Sequence, residues 1–291
     1  MAGLQDIRRR IRSVKNTQQV TKAMKMISAV KLRKAQERLV AMRPYANKMW
    51  EVVGRVVSRI AGSTEIVPGP VAQAFIAPRE EKSLRLVVIA SDKGLCGGFN
   101  AYVLKAAQAF LEENRGDIVH LDVVGKRAAD WARKRRLQAD AERVALPAGS
   151  LARVAQEIAV SAAAQYTEGK IDALYVVYNY FHSPVSQVPK VVRLFPMEVD
   201  PVGDGPSEVA HLLEPDPNAV LETLLPRFVE TELLRCLQES SASEHGARMA
   251  AMDKASTNAG EMIAKLTLNM NKIRQASITN QIIEIVSGAN A

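Results

Sequence analysis

Two stretches at opposite ends of this chain are almost free of helix breakers. Residues 1–43 hold no proline and one glycine, Gly3; residues 227–291 hold no proline and only Gly246, Gly260 and Gly288. Proline removes a backbone donor and clashes with the preceding turn, and an interior glycine costs a helix about 1 kcal/mol. Their scarcity over such lengths therefore marks helix. Apolar periodicity extends the two helices over roughly 7–58 and 218–287, about 75 Å and about 105 Å at the α-helical rise. A compact chain of 291 residues has a radius of gyration of only about 19 Å. The helices are expected to leave the globule as a rod, paired with each other. A rod suits mechanics better than small-molecule chemistry.

The first helix places Leu4, Ile7, Ile11 and Val14 at heptad steps, and again Leu32, Ala35, Leu39 and Met42. Between these blocks the same phase gives Gln18, Thr21, Lys25 and Ser28, while the apolar residues move to Val20, Met24, Ile27 and Val30. That pattern reads as a phase shift with a local change of supercoil. Pro44 should kink or end this helix. In the last helix Asn218 reads as the N-cap, and Pro226 as a kink. Further on, Met249, Met252, Ser256, Ala259, Ile263, Leu266, Met270 and Ile273 step by threes and fours, which is a coiled-coil seam. The methionines read as adaptable packing within it.

The tail breaks that pattern. Ile278, Ile282, Ile283, Ile285 and Val286 surround the helix instead of marking one stripe. A helix apolar all round has to be buried on all sides. The first helix is too short to cover it, so another chain is expected to enclose this tip.

Between the helices the chain alternates in type. Leu84–Ala90 and Val119–Val124 read as strands, as do a weak segment at 141–146, Ala173–Phe181 and an edge strand at Val188–Phe195. Helices are expected near 100–114, 126–137 and 150–168. Alternation of this kind implies right-handed crossovers and a mainly parallel, doubly wound sheet. The Pro- and Gly-rich stretches on either side read as linkers. The expected organisation is a shaft helix at 1–60, a linker at 61–83, a Rossmann-like α/β domain at 84–196, a linker at 197–217, and a second shaft helix with its tip at 218–291.

Composition narrows the function. The chain is 47% hydrophobic, enough for a real core. No apolar run approaches the roughly 18 residues of a membrane span, and the Arg-rich start reads as helix rather than as a transit peptide. Cys96 and Cys236 are far apart, which suits a reducing compartment without a disulfide. The four histidines lack metal-ligand spacing. The net charge of +8 is uneven: residues 1–59 carry 15 Lys and Arg against 3 Asp and Glu. So basic a helix calls for an acidic partner, be it nucleic acid, an anionic membrane or a protein surface. Only Tyr45 and Trp50 interleave as aromatics there, and no nucleic-acid module is visible.

The turn Ser91-Asp92-Lys93-Gly94-Leu95-Cys96-Gly97-Gly98-Phe99-Asn100 joins the first strand to a helix, where doubly wound folds often cradle phosphate. Its spacing is neither GxGxxG nor GxxxxGK[ST], so a tight structural turn is the stronger reading. Asp92 and Asp122 are carboxylates at strand ends, and sequence leaves open whether they meet. Three functions remain: a non-catalytic mechanical subunit, a nucleotide-binding α/β enzyme with helical arms, and a nucleic-acid-binding coiled coil.

Several segments in the right order also resemble the gamma subunits of F-type ATP synthase. They include Ile11-Arg12-Ser13-Val14-Lys15-Asn16-Thr17, Thr21-Lys22-Ala23-Met24, Arg43-Pro44-Tyr45, the 91–100 turn, Ser186-Gln187-Val188-Pro189, and Arg274-Gln275-Ala276-Ser277-Ile278-Thr279 through Ser287-Gly288-Ala289. The resemblance implies a central rotor shaft, one copy per complex, inside a hexamer of α and β subunits. It also implies contacts with an epsilon subunit and a ring of c subunits, with no catalysis, no cofactor and no nucleic acid on this chain. Met24, Lys25, Arg248, Arg274, Gln275, Thr279 and Gln281 match positions facing the β subunits. Ile278, Ile282, Ile283, Ile285 and Val286 match the tip that turns in an apolar sleeve. Tyr45 and Glu214 match the foot near the c ring and epsilon. Two departures stand out: Gln281 replaces a usual Glu, and Pro226 replaces an ordinary helix residue. The cysteine-bearing insertion of chloroplast relatives is missing before the last helix. The resemblance therefore points to a bacterial protein on the cytoplasmic face of the inner membrane, held there through the c ring.

Overall fold

Each terminal stretch is a single helix. The computed structural model describes residues 2–62, 67–69, 73, 80–147, 149–196 and 213–289. In chain order these form α1 (Ala2–Gly62), β1 (Ser83–Ile89), α2 (Phe99–Glu113), β2 (Ile118–Val124), α3 (Lys126–Lys134), β3 (Ala141–Arg143), α4 (Leu151–Thr167), β4 (Ala173–Phe181), β5 (Gln187–Phe195) and α5 (Pro217–Ala289). Most of the two expected linkers lies outside the described residues. The chain divides into two compact units, Met1–Val30 with Arg248–Ala291, and Lys31–Ala247.

The larger unit is built on a five-stranded sheet of order β3-β2-β1-β4-β5. Its first four strands run parallel and β5 returns antiparallel to β4. β1 is central and reads Ser-Leu-Arg-Leu-Val-Val-Ile, buried from Leu84 onward, as a parallel strand covered on both faces must be. Leu84, Leu86 and Val88 pack with Val103, Ala107 and Phe110 of α2 and with Ala128, Trp131 and Ala132 of α3. Val87 and Ile89 face the other way, into a cluster with Ile158 and Ala162 of α4, Val53–Ile60 of α1 and Leu221–Leu237 of α5. Both long helices therefore begin or end as parts of the core beneath this sheet.

Pro44 does not end α1, which continues through it to Gly62. Leu32, Leu39, Ala46, Val53 and Ile60 are buried at seven-residue steps on either side of it, while Pro44 itself is exposed. Packing along one face outweighs the loss of a single backbone bond on the solvent side. α5 likewise continues through Pro226. Its N-cap is Asp216 and not Asn218: the Asp216 carboxylate accepts the Asn218 and Ala219 N–H groups at 2.8 and 3.1 Å. Pro217 then takes the first helical position, where a missing N–H costs nothing. Asn218 instead reaches Val67 O and Gly69 N, both at 2.9 Å.

In the smaller unit the two helix ends lie antiparallel, since Lys25 meets Asp253 at 2.6 Å and Gln18 Nε2 donates to Ser256 O at 3.2 Å. The expected phase shift does not occur here. Thr21 and Ser28 are buried and Gln18 and Lys25 half-buried, so the seam keeps its heptad; of the expected stripe Val20, Ile27 and Val30 are each more than half exposed and only Met24 is half-buried. The facing positions Ser256, Ala259 and Gly260 are small, and polar seam groups find bonds close by: Thr21 Oγ1 donates to Gln18 O at 3.0 Å. A satisfied polar layer is tolerated and leaves the neighbouring apolar stripe facing outward. The α5 seam proceeds as its spacing predicts as far as Met270, with Met252, Ser256 and Ala259 buried and Ile263, Leu266 and Met270 half-buried, while Ile273 at its end is exposed.

Candidate functional site

Ligands of doubly wound sheets bind at the carboxyl ends of the strands, where the strand order reverses. Here that point lies between β1 and β4. The β1–α2 turn closes on itself: Ser91 Oγ donates to Lys93 O at 2.6 Å, and the Asn100 side chain bonds Ser91 N at 3.1 Å and Cys96 Sγ at 3.1 Å. Leu95 and Gly97 take left-handed backbone angles, φ of 62° and 57°. Helix α5 fills the crevice beside this turn. Ser243 Oγ donates to Asn179 O at 3.0 Å, Asn179 Nδ2 donates to Phe99 O at 3.1 Å, and Ala247 packs against Cys96 and Phe99. Protein atoms thus occupy the place where a nucleotide would lie.

The two strand-end carboxylates have separate partners. Asp92 accepts the backbone N–H groups of Lys126 and Ala145 at 2.9 and 3.0 Å, pinning two turns. Asp122 is buried against Arg85 at 2.8 Å, with Arg143 at 3.4 Å, and Arg85 also holds Ser161 and Gln165 of α4. Neither carboxylate is placed for acid–base chemistry. Cys96 and Cys236 are both buried, and burial pushes the Cys236 thiol up to about 12. A thiol so raised stays protonated and unreactive.

A groove of about 820 Å³ runs between α1, β5 and α5, lined among others by Arg43, Trp50, Tyr180, Arg235 and Glu239. Arg235 bridges Glu232 at 2.6 Å and Glu239 at 3.0 Å. Burial raises the Glu239 carboxyl above its ordinary value, against the opposing pull of Arg235.

The residues singled out by sequence fall into three groups. Met24 and Lys25 are half-buried on α1, and Arg248 is buried at 8% exposure. Arg274, Gln275, Thr279 and Gln281 are exposed on α5, where Thr279 Oγ1 bonds its own helix at Gln275 O. Every residue from Ile278 to Gly288 is exposed. The five aliphatic side chains of this tip are between 48% and 71% exposed, an apolar surface of the kind that marks a partner site. Tyr45 and Glu214 are exposed in the larger unit. Sequence reasoning missed the Ser243–Ala247 seat and the Arg85–Asp122 pair. Only the cluster of small residues in α5 hinted at the first, and nothing local hinted at the second.

Residues 3–291 match the ATP synthase family. This chain belongs to it. The chain is 47% identical over 291 residues to the ATP synthase gamma chain of Solibacter usitatus (strain Ellin6076) and 46% over 294 residues to that of Anaeromyxobacter sp. (strain Fw109-5). Each alignment covers 100% of this chain and 99% of the relative. The fold is also similar to a chain in the rotor of the Euglena gracilis mitochondrial ATP synthase, with a TM-score of 0.62, 20% identity, and coverage of 95% of this chain and 99% of that one. Among the described residues, no helix of this family member is long and apolar enough to cross a membrane.

Proposed function

We propose that this chain is the central-stalk rotor of an F-type ATP synthase and catalyses nothing itself. The observation that carries this reading is the tip of α5, where five aliphatic side chains on a broad face of the helix are exposed from Ile278 onward. Such a surface calls for an apolar wall from partner subunits, and a ring of subunits supplies one. One copy of the chain stands inside the hexamer of α and β subunits, with Ile278, Ile282, Ile283, Ile285 and Val286 in a sleeve. Met24, Lys25, Arg248, Arg274, Gln275, Thr279 and Gln281 face the β subunits. Tyr45 and Glu214 lie at the foot, near the epsilon subunit and the c ring. That ring holds the chain on the cytoplasmic face of the bacterial inner membrane.

Mechanism follows from symmetry. A single asymmetric shaft in a threefold ring shows each β subunit a different face and so favours a different state at each catalytic site. Turning the shaft exchanges those states, and differential contact energy becomes differential nucleotide affinity. The structure also makes rotation measurable. Both native cysteines are buried and Val185 is 84% exposed, so Val185→Cys gives one accessible thiol for a probe. In a complex immobilised through its α or β subunits, ATP should drive unidirectional turning of that probe. A probe that stays still during hydrolysis would overturn the rotor reading.

A further inference from the structure

The crevice filled by α5 joins the middle domain to the shaft helix through unusually short side chains. Ser243 and Asn179 are both buried, and they link α5 to β4 and onward to the carbonyl of Phe99. Gly246 sits one turn on. A Cβ there would stand 3.1 Å from Pro184 Cα, 3.3 Å from Pro184 O and 3.5 Å from the Phe181 ring. The two nearest atoms are backbone, so no change of rotamer relieves the crowding. Ala247 completes the contact against Cys96 and Phe99. The compact unit ends at this residue, and Arg248 belongs to the other unit.

We propose that Gly246 is a positioning residue for coupling, and that this crevice is a rigid seat in which the middle domain and α5 turn as one body up to Ala247. Long side chains at an interface bend and change rotamer under load. Backbone packed on backbone, with buried hydrogen bonds on one flank, has no such slack. A turning moment entering the middle domain therefore reaches α5 undiminished. The position at which other doubly wound sheets hold a ligand serves here as a mechanical joint.

This inference rests on the rotor reading, and its test starts from assembled holoenzyme in membrane vesicles that already couples ATP hydrolysis to ion pumping. Ala247→Cys places a second thiol in the buried cluster of Cys96. Oxidised and reduced samples of that variant are compared, with the native chain oxidised in parallel and disulfide formation read on a non-reducing gel. The locked joint should pump ions per ATP as well as its reduced form does. Loss of pumping on oxidation that is restored by a thiol reductant means that α5 slides in the crevice, which overturns the proposal. Gly246→Ala and Gly246→Val provide a second arm. Ions pumped per ATP should fall slightly for alanine and several-fold for valine, with ATP hydrolysis retained. A ratio unchanged in both variants overturns the proposal equally. Should valine prevent assembly, the alanine variant decides the matter. Failure of the rotor reading would look different, because the Val185 probe would not turn.

Discussion

Replacing one aliphatic side chain of the tip should weaken assembly far more than replacing an equally exposed one elsewhere. Full burial of an isoleucine or valine is worth about 1.5–3 kcal/mol. The five tip residues are roughly half exposed, so enclosing them adds on the order of 1 kcal/mol each and about 5 kcal/mol together, several powers of ten in affinity. Ile283→Asp removes one such share. It also forces a carboxylate into an apolar wall without a partner, a further cost of several kcal/mol. The control is Val185→Asp, on a loop where valine is more exposed still and no enclosure is invoked. Purified α and β subunits are mixed with each variant, and assembly is followed by native gel and by ATPase activity. Ile283→Asp, and deletion of 275–291, should each lower the affinity of assembly at least tenfold, a change of about 1.4 kcal/mol. Val185→Asp should leave it unaltered. Equal behaviour of the three would show that nothing encloses the tip and would refute the argument.

Other expectations concern the core. Asp122→Asn strands the buried Arg85 guanidinium and should cost about 3–5 kcal/mol of stability in chemical denaturation; a loss under about 1 kcal/mol would mean that the pair is not desolvated. Glu239 has a carboxyl held above its ordinary 4.5, chiefly by burial. The folded state therefore binds that proton more tightly than the unfolded chain does. Its contribution is fully present below the unfolded value and is lost as pH rises through the folded one. Thermal melts should show Glu239→Gln gaining on the native chain as pH rises above 4.5, and a difference independent of pH would contradict this. Cys96 and Cys236 are buried, and alkylation by iodoacetamide should modify neither until denaturant is added. Rapid labelling of the native chain would exclude the packing described.

Much of this architecture is legible in the sequence because it is local and periodic. Heptad spacing reveals α1 and the α5 seam, an unbroken apolar run reveals β1, and clustered isoleucines reveal the tip, although on a helix they fill one broad face with Ser287, Asn280, Glu284 and Gln281 opposite and do not surround it. The limits appear wherever two distant segments decide the outcome. The stripe of Val20, Ile27 and Val30 reads as a seam, since nothing in α1 itself shows that small residues of α5 stand opposite Gln18 and Thr21. Pro44 reads as a break, since the local rule does not weigh the buried residues on either side of it. Asp216 and Asn218 are both competent caps, and only the path of the chain past Val67 and Gly69 assigns them.

The candidate site divides along the same line. That the broad apolar face of the tip marks a partner site follows from side-chain identity and spacing alone. That the nucleotide crevice is filled depends on Ser243, Gly246 and Ala247 meeting Asn179, Pro184 and Cys96, pairs separated by more than sixty positions. Spacing along a chain encodes the faces of its helices and strands. Which faces meet is decided by long-range packing, and tertiary structure alone records it.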